Sequence, residues 1–291
     1  MHLGLHVVFK NVCSKMGMPG TILWHKFAYR VLRHHWPNFR HPQDISEIIL
    51  SSMHKKSFLK YADYADKVKV RDYVISKGLG DILLKVYGVW KNADEIDFSK
   101  LPDKFALKPN NGSGGHFFCK DKSKIDEVAL RKQMNESLTL IDKYVGFAFE
   151  PHYKHISPRI YCEELMDMGT DQWPTDYKFT CIKGKIVDIF VATERETGDT
   201  RYCTLDTNWN LLPYTKESYL PEHIPAKPKH LEEMLKIATV LSHDFDVVRV
   251  DLYEYHDKVY FSELTFSPWG GMMYSYTDEA VKLLGKIYNE R

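Results

Sequence analysis

Apolar positions recur along this chain with two different periods. Residues 20–60 read as helical. Within them Asp44, followed three residues later by Glu47, forms a capping-box pattern that opens DISEIILSSMHKKSFL. In ADKVKVRDYVISKGLG, Val70, Tyr73, Val74 and Lys77 keep helical spacing, and Gly78 and Gly80 predict the stop. ILLKVYGVW predicts a short strand or edge segment. LPDKFALKP predicts a strand ended by Pro109, which feeds a glycine-rich loop, NNGSGGHFFCK. A helix is expected over 124–140. The runs GFAFEPHY, PRIYCEELM, DYKFTCI and KIVDIFVAT are rich in Phe, Tyr, Ile and Val and read as strands, with a hairpin turn at Lys183-Gly184. Four prolines make PYTKESYLPEHIPAKPKH a loop. Leu231, Met234, Leu235, Ala238 and Leu241 then share one helical face, and DEAVKLLGKIYNE closes as a helix. Strands and helices mix without strict βαβ alternation, which predicts α+β lobes rather than a doubly wound sheet.

One strand pair breaks the rule that buried strands are apolar. VVRVDLYEYHDKVYFSELTFSPWGG reads as a hairpin, with Val248, Val250 and Leu252 on a core face and Arg249, Asp251 and Tyr253 on the other. Phe261, Glu263 and Thr265 share a face of the return strand. A turn centred on Asp257 places Asp251 opposite Glu263 and Arg249 opposite Thr265. Opposed Cβ atoms lie about 4.5–5.5 Å apart. Two carboxylates so close repel unless a cation lies between them. Two readings fit: a solvated face on which Arg249 neutralises Asp251, or an oxygen-ligand site for Mg²⁺.

Composition narrows the setting. The chain has 291 residues, 44% hydrophobic and 27% charged, enough for a core in two or three lobes. Forty bases against 39 acids give a net charge of +1, the balance of neither a nucleic-acid magnet nor an acidic tail, so any positive site must be local. Five cysteines, an odd number with no CxxC spacing, read as reduced thiols. No apolar run is long enough to span a membrane, and the first 20 residues lack a signal-peptide core, so the expected location is the cytoplasm. The 14 histidines form no HExxH pair, which leaves zinc unsupported.

The loop KPNNGSGG sets Lys108 before Gly112, Ser113, Gly114 and Gly115. Glycines let backbone N–H groups turn inward on an anion, and a lysine adds a point charge. The same composition also serves a flexible turn. The Gly-Lys-Ser/Thr ending of a Walker A loop is absent, and so is GxGxxG.

In order, ADKVKVRDYV, FALKPNNGSGG, CEELM, DYKFTCIKGKI and VVRVDLYEYHDKVYFSELTFSPWGG resemble an ATP-grasp ligase. D-alanine–D-alanine ligases share that order of parts. LPDKFALKPNNGSGG and FSELTFSPWGG resemble most closely the TupA-like ATP-grasp family, linked to teichuronopeptide, capsule and other surface-polysaccharide biosynthesis. The resemblance spans about residues 40–275. It implies an α+β ATP-grasp fold in which two α+β lobes clasp ATP: a helical N-terminal region (1–62), an N-lobe with a glycine-rich flap (63–170) and a C-lobe with a metal-binding hairpin (171–291).

It also implies roles. Lys67 and Lys108 resemble the lysines that hold ATP phosphates, and Gly112, Ser113, Gly114 and Gly115 the flap over them. Glu163, Glu164, Leu165 and Met166 resemble the hinge that reads adenine, and Asp176 the ribose-binding acid, with Lys178 facing the phosphates. Asp251 and Glu263 resemble the magnesium ligands. Thr265 stands where the wider superfamily has a third ligand, Asn; a hydroxyl is the weaker, neutral donor. Arg249 resembles the arginine that steadies the acyl phosphate, and Gly270 and Gly271 resemble donors to an oxyanion. The spacing from hinge to Asp176 is lengthened by MGTDQWP.

The implied reaction is ADP-forming amide synthesis through an acyl phosphate, joining an amino acid or other small-molecule amine to an acidic glycan. The expected partners include polysaccharide-synthesis machinery and exclude nucleic acid. The rivals are an ATP-grasp kinase acting on a sugar hydroxyl and a non-catalytic nucleotide- or glycan-binding protein. A glycosyltransferase would want a DxD-like site on a nucleotide-sugar fold, and the order of parts does not suggest that fold. Trp173, Trp209 and Trp269 either stack on a sugar ring or pack internally. Arg195 and Arg201 either clamp an acid or pair with neighbouring glutamates, and His116 adjoins the flap.

Overall fold

The computed structural model describes residues 3–112, 114–139, 149–169, 174–193 and 199–290. In chain order these form α1 (Leu3–Lys15), α2 (Gly17–Arg33), α3 (Ile45–Met53), α4 (Ala62–Ala65), α5 (Val70–Ser76), β1 (Val86–Trp90), β2 (Phe105–Pro109), β3 (Phe117–Cys119), α6 (Glu127–Ser137) and β4 (Ile160–Glu163). Then follow β5 (Asp176–Ile182), β6 (Lys185–Thr193), β7 (Arg201–Leu205), α7 (Leu231–Ser242), β8 (Val247–Tyr255), β9 (Lys258–Thr265) and α8 (Asp278–Asn289). The chain divides into two compact units, Met1–Leu59 with Pro174–Arg291, and Lys60–Trp173. The N-terminal helices therefore group with the residues after 173.

The first unit is built on an antiparallel sheet in the order β7-β6-β5-β8-β9. Alternation gives the sheet one apolar face, where Phe179 and Cys181 of β5 pair with Val250 and Val248 of β8, all four fully buried. Leu231, Met234, Ile237, Ala238 and Leu241 of α7 cover it. Leu235, expected on that face, is only half-buried, and Ile237 takes its place. The opposite face is polar and carries the candidate site. Lys183 and Gly184, with φ of 48° and 75°, make the tight β5–β6 turn that the sequence predicts.

Two devices fix the N-terminal helices to this unit. Arg33, 2% exposed, donates to the carbonyls of Tyr276 (3.0 Å), Met272 (3.1 Å) and Met273 (2.8 Å) and to Asp278 Oδ1 (2.8 Å). Asp44 caps α3 by accepting from Glu47 N–H at 2.8 Å. Glu47 does not return the bond as a capping box requires; its carboxylate accepts from Asn38 and Gln43 N–H, each at 2.7 Å. Gly285 of α8 lies against this cap: a Cβ there would meet Gln43 O at 2.2 Å and Asp44 Cα at 2.5 Å. Backbone cannot give way as a side-chain tip can. Gly285→Ala is therefore expected to destabilise the protein by at least about 2 kcal/mol, read as a lower urea midpoint.

The second unit carries an antiparallel sheet in the order β1-β4-β2-β3. Phe105 and Leu107 of β2, Ile160 and Cys162 of β4, and Leu130 and Met134 of α6 form its core with Phe98 and Leu101. α5 ends as predicted, with Gly78 at φ 75°. Some expectations need correction. Helix within 20–60 is interrupted between Arg33 and Ile45; β3 falls in the stretch the sequence assigns to a loop, and β7 in one it leaves unassigned. The sequence predicts a strand over GFAFEPHY, but Pro151–His155 is a 3₁₀ helix, because Pro151 lacks the N–H a ladder needs; residues 146–148 lie outside the described residues. All five cysteines are buried and unbridged, and burial pushes Cys162, Cys181 and Cys203 up to about 12. No helix among the described residues is long and apolar enough to cross a membrane.

Candidate active site

The β8–β9 hairpin positions the first cluster. Its turn is two residues long, His256 and Asp257, at φ 46° and 62°, and Tyr255 pairs with Lys258. The turn is thus centred between 256 and 257, not on Asp257. A bulge then inserts one residue, Ser262, between the partners of Leu252 and Asp251, so that Asp251 still faces Glu263 and Arg249 faces Thr265. The bulge also corrects the face of Phe261, which sits opposite Leu252 on the apolar side, away from Glu263. β5 adds the third row: Lys178 faces Asp251, Asp176 faces Tyr253 and Thr180 faces Arg249.

The side chains on this face form one ionic network. Arg249 donates from Nε to Asp251 Oδ1 and from Nη2 to Asp251 Oδ2, both at 2.6 Å. The same Nη2 reaches Thr265 Oγ1 at 3.1 Å and Glu263 Oε1 at 3.4 Å. Thr265 Oγ1 donates to Glu263 Oε1 at 3.2 Å. Lys178 Nζ bridges Asp251 Oδ2, at 2.7 Å, and Asp176 Oδ2. The Asp251 side chain is 1% exposed and that of Glu263 29%. Burial raises the Asp176 carboxyl, with Lys178 pulling it down and Asp251 adding to the rise. Burial works against the Lys178 ammonium too, but Asp176 and Asp251 raise it on balance. Arg249 is raised as well, since Asp251 outweighs the cost of its burial.

Three acids face two cations here, and the buried Asp176 Oδ1 has no hydrogen-bond partner. An all-oxygen donor set fits a hard cation in kind. Both Asp251 oxygens are already engaged, however, and Glu263 is the acid most open to solvent. Among the described residues no group of three or more His, Cys, Asp or Glu is arranged as a metal cage.

Two neighbours complete this face. Asp188 of β6, 1% exposed and opposite Thr180, accepts from the Tyr276 hydroxyl at 3.1 Å, and burial pushes it up to about 7. The turn after β9 holds Trp269, Gly270 and Gly271 at φ 55°, 62° and 81°. Gly271 also needs to be small: a Cβ would lie 2.9 Å from Leu50 Cδ2. Gly270 N–H donates to Ser267 O at 2.8 Å, so it is committed within the turn. Trp269 packs edge-on to Tyr274 and Tyr202, with ring centroids 4.3 and 5.3 Å away, and Trp209 donates to Pro225 O at 2.9 Å. Arg201 donates to Ser218 O and Asp199; Trp173 and Arg195 lie outside the described residues.

The second unit brings together the other predicted residues. Lys67 Nζ donates to Gly112 O at 2.9 Å, and Lys67 N–H donates to Asn110 O at 2.9 Å. Gly112, Gly114 and Gly115 have φ of 67°, 87° and 70°, the left-handed region that lets a loop turn its amides inward. Ser113 lies outside the described residues. Asn111, 5% exposed, leaves its Nδ2 donor without a hydrogen-bond partner. Lys108 pairs with Glu163 Oε1 at 2.6 Å and lies over the Phe118 ring, 5.8 Å from its centroid. Glu163 pairs across the sheet with both Val86 and Ala106. Glu164 N–H donates to Lys85 O, while no hydrogen bond among the described residues engages the backbone of Leu165 or Met166.

The model of the family described as TupA-like ATPgrasp matches residues 47–289. The chain belongs to the TupA-like ATP-grasp family. Its α+β architecture, with two antiparallel sheets, is the ATP-grasp fold. No curated protein matches it in sequence. Among solved structures it is similar to D-alanine–D-alanine ligase from Bacillus anthracis, at 14% identity over 78% of this chain and 69% of that one, with a TM-score of 0.41. D-cycloserine synthetase DcsG gives 10% identity, 78% and 70% coverage and a TM-score of 0.45. The ATP-grasp ligase PsnB, complexed with its minimal precursor, Mg and ADP, gives 10%, 76%, 58% and 0.40. Membership of the TupA-like family rests on the sequence match, not on these distant likenesses.

In this TupA-like chain some site features escaped sequence reasoning. Asp188 and Asn111 were not singled out, nor was the Lys108–Glu163 pair. Asp188 carried a signal: it is the one acid in the apolar run KIVDIFVAT. The pair carried none, because its members are 55 residues apart.

Proposed function

We propose that this protein is an ATP-dependent, ADP-forming carboxylate–amine ligase. Family membership makes it an ATP-grasp enzyme. The observation that supports ligase chemistry is the face shared by Asp251, Glu263, Arg249 and Lys178. Lys67, Lys108 and the amides of Gly112, Ser113, Gly114 and Gly115 would hold the ATP phosphates. The unengaged backbone at Leu165 and Met166, within the Glu163–Met166 hinge, would take adenine, and Asp176 the ribose. Mg²⁺ at Asp251 and Glu263, with Thr265 as a weak third donor, would neutralise phosphate charge.

A substrate carboxylate oxygen attacks the γ-phosphorus as the bond to ADP breaks, giving an acyl phosphate. Arg249 and Lys178 present fixed positive charge on this face, so that little reorganisation is needed. An amine nitrogen then attacks the acyl carbon, the bond to phosphate breaks, and the amine loses a proton. Gly270 and Gly271 lie in a 3₁₀ turn that engages their N–H groups, so a role as donors to the oxyanion would need that turn to open. Water would destroy the acyl phosphate, which assigns the glycine loop the role of a cover. The acidic partner we propose is a sugar acid of a cell-surface polysaccharide and the amine an amino acid, with synthesis in the cytoplasm beside polysaccharide-assembly proteins.

ADP release should need a carboxylate and an amine together, and mass spectrometry should show an amide. A phosphorylated hydroxyl formed without an amine would replace the ligase with a kinase. Lys108→Ala should weaken a non-hydrolysable ATP analogue about tenfold or more in calorimetry, since a charged hydrogen bond is worth about 1.5–3 kcal/mol. Unchanged affinity would remove Lys108 from the nucleotide site.

A further inference from the structure

The 40 Lys and Arg of the chain include six in residues 1–43, which contain no Asp or Glu; the rest holds 34 bases against all 39 acids. A nearly neutral protein therefore has one strongly basic end. α1 and α2 fold back on each other there. Phe9 packs on Trp24 and Phe27, and Gly20 lies so close to α1 that a Cβ would meet Cys13 O at 2.0 Å. The inner side of this hairpin is satisfied by that packing and by Arg33.

The outer side is apolar and basic at once. Val8 and Val12 are 62% and 53% exposed, Met16 is 49% exposed and Trp36, just beyond α2, 65%. Positions 8, 12 and 15 stack one turn apart, so exposed Lys15 rises from the same stripe as the two valines. Lys26 of α2 is exposed as well. None of Lys15, Lys26, Arg30 and Arg40 makes an ion pair among the described residues.

We propose that the outer face of α1–α2 docks on the headgroup layer of an anionic phospholipid bilayer. Unopposed lysines draw such a surface, short apolar side chains enter the headgroup boundary, and tryptophan favours that depth. With no helix among the described residues able to span a bilayer, the contact is peripheral. A second copy of this chain fits poorly, because a symmetric contact would bring the same unopposed cations together. Nucleic acid would leave the valines unused. The inference is independent of the ligase reading.

Sedimentation of the full chain with vesicles tests it. At low salt the protein should pellet with vesicles of phosphatidylglycerol and phosphatidylcholine in equal parts and stay in solution with phosphatidylcholine alone. One base near an anionic surface is worth about fivefold in partition, so Lys15→Glu with Lys26→Glu should lower binding more than about twentyfold. Val8→Ser with Val12→Ser should also weaken it at an unchanged melting temperature, since both positions are exposed. No pelleting with phosphatidylglycerol, or pelleting that neither pair of substitutions alters, overturns the proposal. So does a dimer in analytical ultracentrifugation that the serine pair dissolves while vesicles bind nothing, which assigns the face to a second copy.

Discussion

Asp251→Asn is expected to abolish ADP formation and to cost about 3–5 kcal/mol of stability, whereas Glu263→Gln should abolish turnover with the fold nearly unchanged. The two acids face each other, but their surroundings differ. Asp251 is sealed in, 1% exposed, and takes two bonds from Arg249 and one from Lys178. An amide there removes the charge that compensates two buried cations, and turns an N–H₂ toward donors that need an acceptor. Glu263 is 29% exposed, and its contacts include one of 3.4 Å to Arg249 and a bond of 3.2 Å from Thr265, so water replaces most of what it loses. Urea denaturation and an ADP-release assay on both variants read the two losses separately. A wild-type midpoint for Asp251→Asn would refute the buried network as a structural element, and a fully active Glu263→Gln would remove that carboxylate from the chemistry.

The facing of Asp251 and Glu263 was legible from alternation, but through two compensating departures. The turn sits half a residue from the assumed centre, and the Ser262 bulge restores the pairing. Periodicity carries no signal for a bulge, so Phe261 was placed on the wrong face although its neighbours were placed correctly. Strands with dense β-branched and aromatic runs, such as β5 and β6, were plain in the sequence. β3 and β7 were not, because three and five residues beside glycine or charged loops look like loop, and only the strand beside them makes them strands. The 3₁₀ turn at Pro151 shows the reverse error, aromatic content outvoting a proline.

The site divides in the same way. Residues whose type suggests chemistry, such as Lys108 before a glycine run or Asp251 in a greasy strand, are legible directly as candidates. Partners set by tertiary pairing are not: Glu163 as the counter-ion of Lys108, or the Gly270 amide spent on Ser267. Family membership now covers residues 47–289 as a whole, while each residue's role still rests on the geometry of its own unit.

Lys178→Met should open a stability deficit that depends on pH, small near pH 4 and about 3–5 kcal/mol near pH 8. Lys178 is the ammonium between Asp176 and Asp251, at 2.7 Å from the latter, and its side chain is 15% exposed. Methionine keeps the apolar stem and deletes the charge. Burial already raises the Asp176 carboxyl, and the lysine is the nearest cation pulling it down. Without the lysine, Asp176 titrates higher still in the folded protein, further above the ordinary value of about 3.9 in the unfolded chain. A folded pKa raised above the unfolded one gives stability that is complete below the unfolded value and lost as pH rises through the folded value. The variant should therefore approach wild type in acid and fall away from it toward neutrality. Urea midpoints of both proteins across that range decide the matter. A deficit of constant size at every pH would mean that the lysine stem packs and its charge does nothing, and Lys178 would lose its place as the counter-ion of Asp176.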